Sequence, residues 1–125
     1  GAGKPYDEDI DIRTENWLAY LCYKNLNNTK AANDMLLAVV NFMPIRSNTI
    51  SNFYAGNHLI SLWAYAALNQ TSQGIEWIKK QQAKFPDNKI MQWASSSYQQ
   101  KKIQPIAIQS EDATVRIIKQ LGLSK

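Results

Sequence analysis

Sliding the chain along itself by 42 residues lays Tyr23 on Tyr65, Leu26 on Leu68, Asn27 on Asn69, Thr29 on Thr71 and Pro44 on Pro86. Conservative pairs fill the gaps, with Asp34 on Glu76, Leu36 on Ile78 and Ala32 on Gly74. The matches fall on apolar faces, on a turn and on a terminating proline, so one supersecondary unit occurs twice. A two-helix unit of that size cannot bury its apolar face alone and needs a stacked neighbour.

The apolar spacing is helical nearly everywhere, and no segment alternates long enough to make a strand. Trp17, Leu18, Leu21, Cys22 and Leu26 form one stripe after Thr14, a predicted N-cap. Asn27 and Asn28 break that helix. A second, capped by Thr29, carries Ala32, Met35, Leu36, Val39 and Val40 up to Pro44. A third carries Leu59, Leu62, Trp63, Ala66 and Ala67 and ends at Asn69. Thr71 caps a fourth, with Ile75, Ile78 and Phe85 inward and Pro86 stopping it. Asp87 or Asn88 opens a fifth through Ile90, Met91, Trp93, Ala94 and Tyr98. After Pro105, Ser110 with Glu111 and Asp112 starts a sixth, and Gly122 stands where a C-terminal left-handed residue belongs. The expected class is all-α, with about six helices.

With 125 residues the chain makes one domain, large enough for a continuous core. The single cysteine, Cys22, excludes an internal disulfide framework, and the single histidine, His58, excludes any site that needs two. Cys22 is expected to be a buried, inert thiol and His58 a packed or hydrogen-bonded helix-face residue. No apolar run reaches membrane-span length. The start lacks the layout of a signal peptide. Residues 1–62 carry a net charge of −1 and residues 63–125 one of +5. The basic half has no Arg between Arg46 and Arg116 and reads as solvated helix faces, with no nucleic-acid partner expected. Asp7, Glu8, Asp9 and Asp11 lack the glycine and bidentate glutamate of a calcium loop. No metal and no cofactor is expected. Eleven Asn, ten Gln and one Cys suit a bacterial cytoplasm or periplasm, and composition does not choose between them.

The two copies resemble tetratricopeptide repeats. That family's pattern sets nine positions between a tyrosine and a small residue, then twelve to a closing proline. Tyr23, Ala32 and Pro44 repeat it, as do Tyr65, Gly74 and Pro86. Tyr20 and Leu62 replace the family's first-helix glycine, and Asn16 and His58 replace its tryptophan. The spacing of 42 exceeds the family's 34, and the surplus falls around Ile45–Tyr54. A third copy is half visible, since Tyr98 follows Tyr65 by 33 residues. The likeness covers residues 13–101. It implies a right-handed superhelical stack of antiparallel hairpins over 13–44, 50–86 and 88–121, in one domain of residues 13–125, after a flexible segment of residues 1–12.

The resemblance also implies a concave face made by the first helices. Thr14, Trp17, Leu21, Lys24 and Asn25 map to it from the first copy, and Gly56, Leu59, Trp63, Ala66 and Ala67 from the second. The partial third copy adds Lys89, Gln92, Ser96, Gln99 and Gln100. Of these, Trp17, Leu21, Lys24, Asn25, Leu59, Trp63, Gln92 and Gln99 are the candidate binding residues. Trp17, Leu21, Leu59 and Trp63 stand where the family's carboxylate clamp wants Lys and Asn, so that clamp is not expected. Trp77 and Tyr23 are expected as core filler. No nucleophile pattern or glycine-rich phosphate cradle is present. The expected function is therefore a non-catalytic, monomeric protein- or peptide-binding scaffold, part of a longer bacterial protein. The alternative is a helical accessory domain of an enzyme whose catalytic part lies outside the chain.

Overall fold

The computed structural model describes residues 11–42, 55–105 and 113–120. Six helices run in order: α1 (Arg13–Asn25), α2 (Thr29–Val40), α3 (Ala55–Ala67), α4 (Thr71–Lys84), α5 (Lys89–Gln100) and α6 (Ala113–Gln120). The described residues hold no strand, and the fold is all-α. The stretches Ile45–Tyr54 and Ser110–Asp112, as well as Gly122 and residues 1–10, lie outside the described residues.

Helix ends carry the repeat most directly. Asn27 and Asn69 take left-handed φ values of 59° and 61°. After each, the chain closes the same double cap. Asn28 N–H donates to the Tyr23 carbonyl at 2.9 Å, and Gln70 N–H to that of Tyr65 at 2.8 Å. This is the Schellman geometry, which Asn tolerates better than other non-glycine residues. Lys101, at φ 56°, closes a third cap through Lys102 N–H to the Ser97 carbonyl at 3.2 Å. The caps space the first two copies by 42 residues and the second and third by 32. Ser97, not Tyr98, is thus the structural equivalent of Tyr65.

Each three-residue link folds the following helix back, so that α2 packs on α1 and α4 on α3. Asn28 caps α2 by accepting from Ala31 N–H at 3.2 Å, displacing the expected Thr29 by one residue. The start of α4 has no side-chain cap, so Thr71 does not act as one. Asn88 caps α5 through Ile90 and Met91 N–H, as one of the two sequence candidates. Gly74 is where α4 meets α3: a Cβ there would fall 2.8 Å from the Tyr65 Cβ. The small residue nine positions after the tyrosine is thus required by the tyrosine itself.

Helix α3 is the hub, touching α1, α2, α4, α5 and α6. Its Leu59, Ile60, Leu62, Trp63 and Ala64 are buried with Leu36, Val39, Ile78, Ile90, Met91 and Ile118 in one core. The end of the chain departs from a third hairpin over 88–121. After Lys101 the backbone folds onto α5, where Gln104 N–H donates to Ser97 Oγ at 2.9 Å and Trp93 Nε1–H to the Gln104 carbonyl at 2.6 Å. Helix α6 takes α3 as its principal partner. Gly56 allows the approach: its N–H donates to Thr114 Oγ1 at 2.7 Å, and a Cβ at Gly56 would fall 2.8 Å from the Thr114 backbone carbon.

Candidate functional site

Two sites of different character lie along the same pair of helices. At the N-terminal ends of α1 and α3, the Arg13 guanidinium grips the Asp11 carboxylate through Nε at 2.9 Å and Nη2 at 2.7 Å. Both side chains are buried. The remaining guanidinium donors reach Ser61 Oγ at 2.7 Å and His58 Nδ1 at 3.4 Å, and the Phe42 ring lies 4.5 Å from the guanidinium carbon. Thr14 Oγ1 donates to Asn57 Oδ1, and Asn57 Nδ2 donates to the Asp11 carbonyl at 3.4 Å. Burial, together with the Arg13 charge, holds the His58 pKa well below its ordinary 6.5. His58 is therefore neutral and accepts at Nδ1.

The cluster ties two helices together across 43 to 48 residues of sequence. Thr14 is consequently a bridge to α3 and not the N-cap of α1. Asp11 accepts from Arg13 N–H at 3.1 Å and is buried, which removes it from the flexible start expected over residues 1–12. Among the described residues no group of three or more His, Cys, Asp or Glu could hold a metal ion.

At the opposite, C-terminal ends of α1, α3 and α5 lies a groove of about 590 Å³. It is lined by Trp17, Tyr20, Leu21 and Lys24 from α1 and by Trp63, Ala66 and Ala67 from α3. Ile75 of α4, Tyr98 and Gln99 of α5, and Lys101 beyond it complete the wall. The cap register explains the set. Lys24, Ala66 and Tyr98 are equivalent positions, as are Leu21, Trp63 and Ser95.

Five of the eight expected binding residues come together here: Trp17, Leu21, Lys24, Trp63 and Gln99. Asn25 is exposed but does not line the groove. Leu59 is 1% exposed and belongs to the core. Gln92 is exposed elsewhere and donates to the Pro86 carbonyl at 3.3 Å. Its displacement follows from the one-residue register difference, since one residue turns a helix by about 100°. Met91 occupies the position equivalent to Trp17 and Leu59.

The tryptophans also correct an expectation. Trp17 and Trp63 are 3% and 4% exposed, so they are core residues at the groove floor and not free anchors. Their ring centroids are 5.8 Å apart, and Tyr20 stacks 4.9 Å from Trp17. The Trp17 Nε1–H is buried without an acceptor among the described residues. Lys24 Nζ lies 5.9 Å from the Tyr20 ring centroid. Tyr20, Ile75, Tyr98 and Lys101 were missed by sequence reasoning; only the position of Tyr20, one turn after Trp17, could have signalled its face.

Cys22 is exposed, not buried, and Leu26 is 73% exposed, because no described helix covers the face of α1 turned away from α2 and α3. Trp77, half-buried, packs on Tyr65 at 6.1 Å. No described helix is long and apolar enough to cross a membrane. Compared with family models, curated proteins and solved structures, the chain matches none.

Proposed function

We propose that this chain is a non-catalytic interaction module of the tetratricopeptide-like kind, which holds a segment of a protein partner in the groove between α1, α3 and α5. The observation that carries the reading is the aromatic-floored groove itself, in the size range of ligand sites and rimmed by exposed polar side chains. An apolar aromatic floor with a polar, solvent-exposed rim is the usual anatomy of a protein contact. The duplicated caps and the Gly74–Tyr65 contact support the repeat likeness.

The test is selection of displayed random dodecapeptides on the protein and on Ala67→Arg. Ala67 is exposed, ends α3 and lines the groove, so the larger side chain blocks the site without entering the core. Peptides enriched on the wild type and lost on Ala67→Arg are the expected result. Enrichment that ignores the substitution would move the binding face elsewhere.

A further inference from the structure

The groove's lining has a sign. Its charged members are Lys24 and Lys101, on α1 and just beyond α5, and no carboxylate of the described residues lines it. The described ion pairs are Arg13–Asp11 and Lys30–Asp34, and neither groove lysine pairs with a carboxylate among the described residues. Helix C-termini carry partial negative charge, which would oppose an anion. Here α1 and α3 each end against the start of the next helix across three residues, which offsets their partial charges, and at the end of α5 the Lys101 and Lys102 N–H groups take up the Tyr98 and Ser97 carbonyls. The lysines therefore set the local potential.

The floor is the apolar area of Trp17, Trp63 and Tyr20. The Trp17 indole N–H is itself buried, without an acceptor among the described residues and without exposure to the groove, so the lysines are the polar groups a ligand meets.

Resting on the peptide-groove reading above, we infer that the partner segment is an internal acidic peptide, in which carboxylates flank a large apolar or aromatic side chain. The apolar side chain lies against Trp17, Tyr20 and Ile75, and the flanking carboxylates meet Lys24 on one rim and Lys101 on the other. Charge complementarity of this kind confers specificity and steers association.

The probe is a fluorescein-labelled, end-capped peptide, Gly-Asp-Glu-Asp-Phe-Leu-Asp-Glu-Gly, followed by anisotropy at low and high salt. Two companions replace its acids by the matching amides or by Lys, and a third replaces Phe-Leu by Ser-Ser. The acidic apolar peptide is expected to bind at least about tenfold more tightly than the amide peptide, and more weakly as salt rises. The Lys24→Glu/Lys101→Glu double variant should reverse the preference toward the Lys peptide. Equal binding of acidic and amide peptides, with both lost on Ala67→Arg, overturns the acidic assignment while the groove reading stands. Binding that survives Ala67→Arg overturns the groove reading itself. The chain's own Asp7, Glu8 and Asp9 are tested in the Asp7→Asn/Glu8→Gln/Asp9→Asn variant of the 125-residue chain. Affinity for the acidic peptide should be unchanged there, and a rise would assign the groove to this chain's own residues and overturn the partner. A concentration-dependent dimer abolished by Ala67→Arg would assign it to a second copy, with the same consequence.

Discussion

The two ends of the α1–α3 pair solve the same problem differently. At the N-terminal end, Arg13 is surrounded by Asp11, Ser61, His58 and the Phe42 ring, so a buried cation is fully matched within the chain. At the C-terminal end, an indole N–H has no described acceptor and two lysines have no described carboxylate. Burying an ion pair costs several kcal/mol of desolvation, which only close geometry and further hydrogen bonds offset. The first end meets those conditions and holds the helices in register. The second leaves two lysines that the proposed acidic segment would match. On that reading, completeness of pairing separates a structural cluster from a binding one.

The comparison can be broken most forcefully at Trp63, which belongs to both the core and the groove. Because it is 4% exposed, Trp63→Ala is expected to destabilise by about 3–5 kcal/mol in urea denaturation. A loss below about 1 kcal/mol would make it a groove side chain with no part in the core. Next comes Arg13→Ala, which strands the buried Asp11 carboxylate and should cost about 3 kcal/mol. If its denaturation midpoint matches the wild type, the N-terminal cluster does not hold α1 on α3.

The pH dependence sharpens the same end. The folded protein keeps the His58 pKa below 6.5, so the unfolded chain binds its proton first as pH falls. Stability from His58 is therefore fully present above about pH 6.5 and is lost as pH drops toward the folded value. Urea midpoints measured from pH 7.5 to pH 5 should fall less steeply in His58→Gln than in the wild type. Parallel curves would remove His58 from the linkage.

The smallest effect belongs to the groove end. Lys101 holds φ 56°, where a non-glycine residue is strained. Lys101→Gly should raise stability by about 0.5–1 kcal/mol while weakening the acidic peptide. Thermal unfolding and anisotropy on one sample give both readings, and a variant that loses stability would show that the lysine supports the fold.

What the amino-acid order determined by itself is local. Helical period, the left-handed Asn27 and Asn69, the Asn88 cap and the small residue facing Tyr65 are all set by neighbours within about nine residues. Those interactions act at short range and repeat with the chain, so a 42-residue offset reveals them. Tertiary structure decided the rest. The third copy is spaced by 32, since four residues separate α4 from α5 where fourteen separate α2 from α3, and beyond Lys101 the chain folds onto Ser97 and Trp93 where the other copies start a second helix. That difference moved Gln92 off the groove and brought Tyr98 into it. Arg13 meets Ser61 across 48 residues, and Gly56 meets Thr114 across 58. Neither pair leaves a periodic trace, because each depends on how whole helices pack. The burial of Trp17 and Trp63 has the same origin: an apolar stripe shows which face turns inward, and only the neighbouring helices decide whether that face ends in core or in groove.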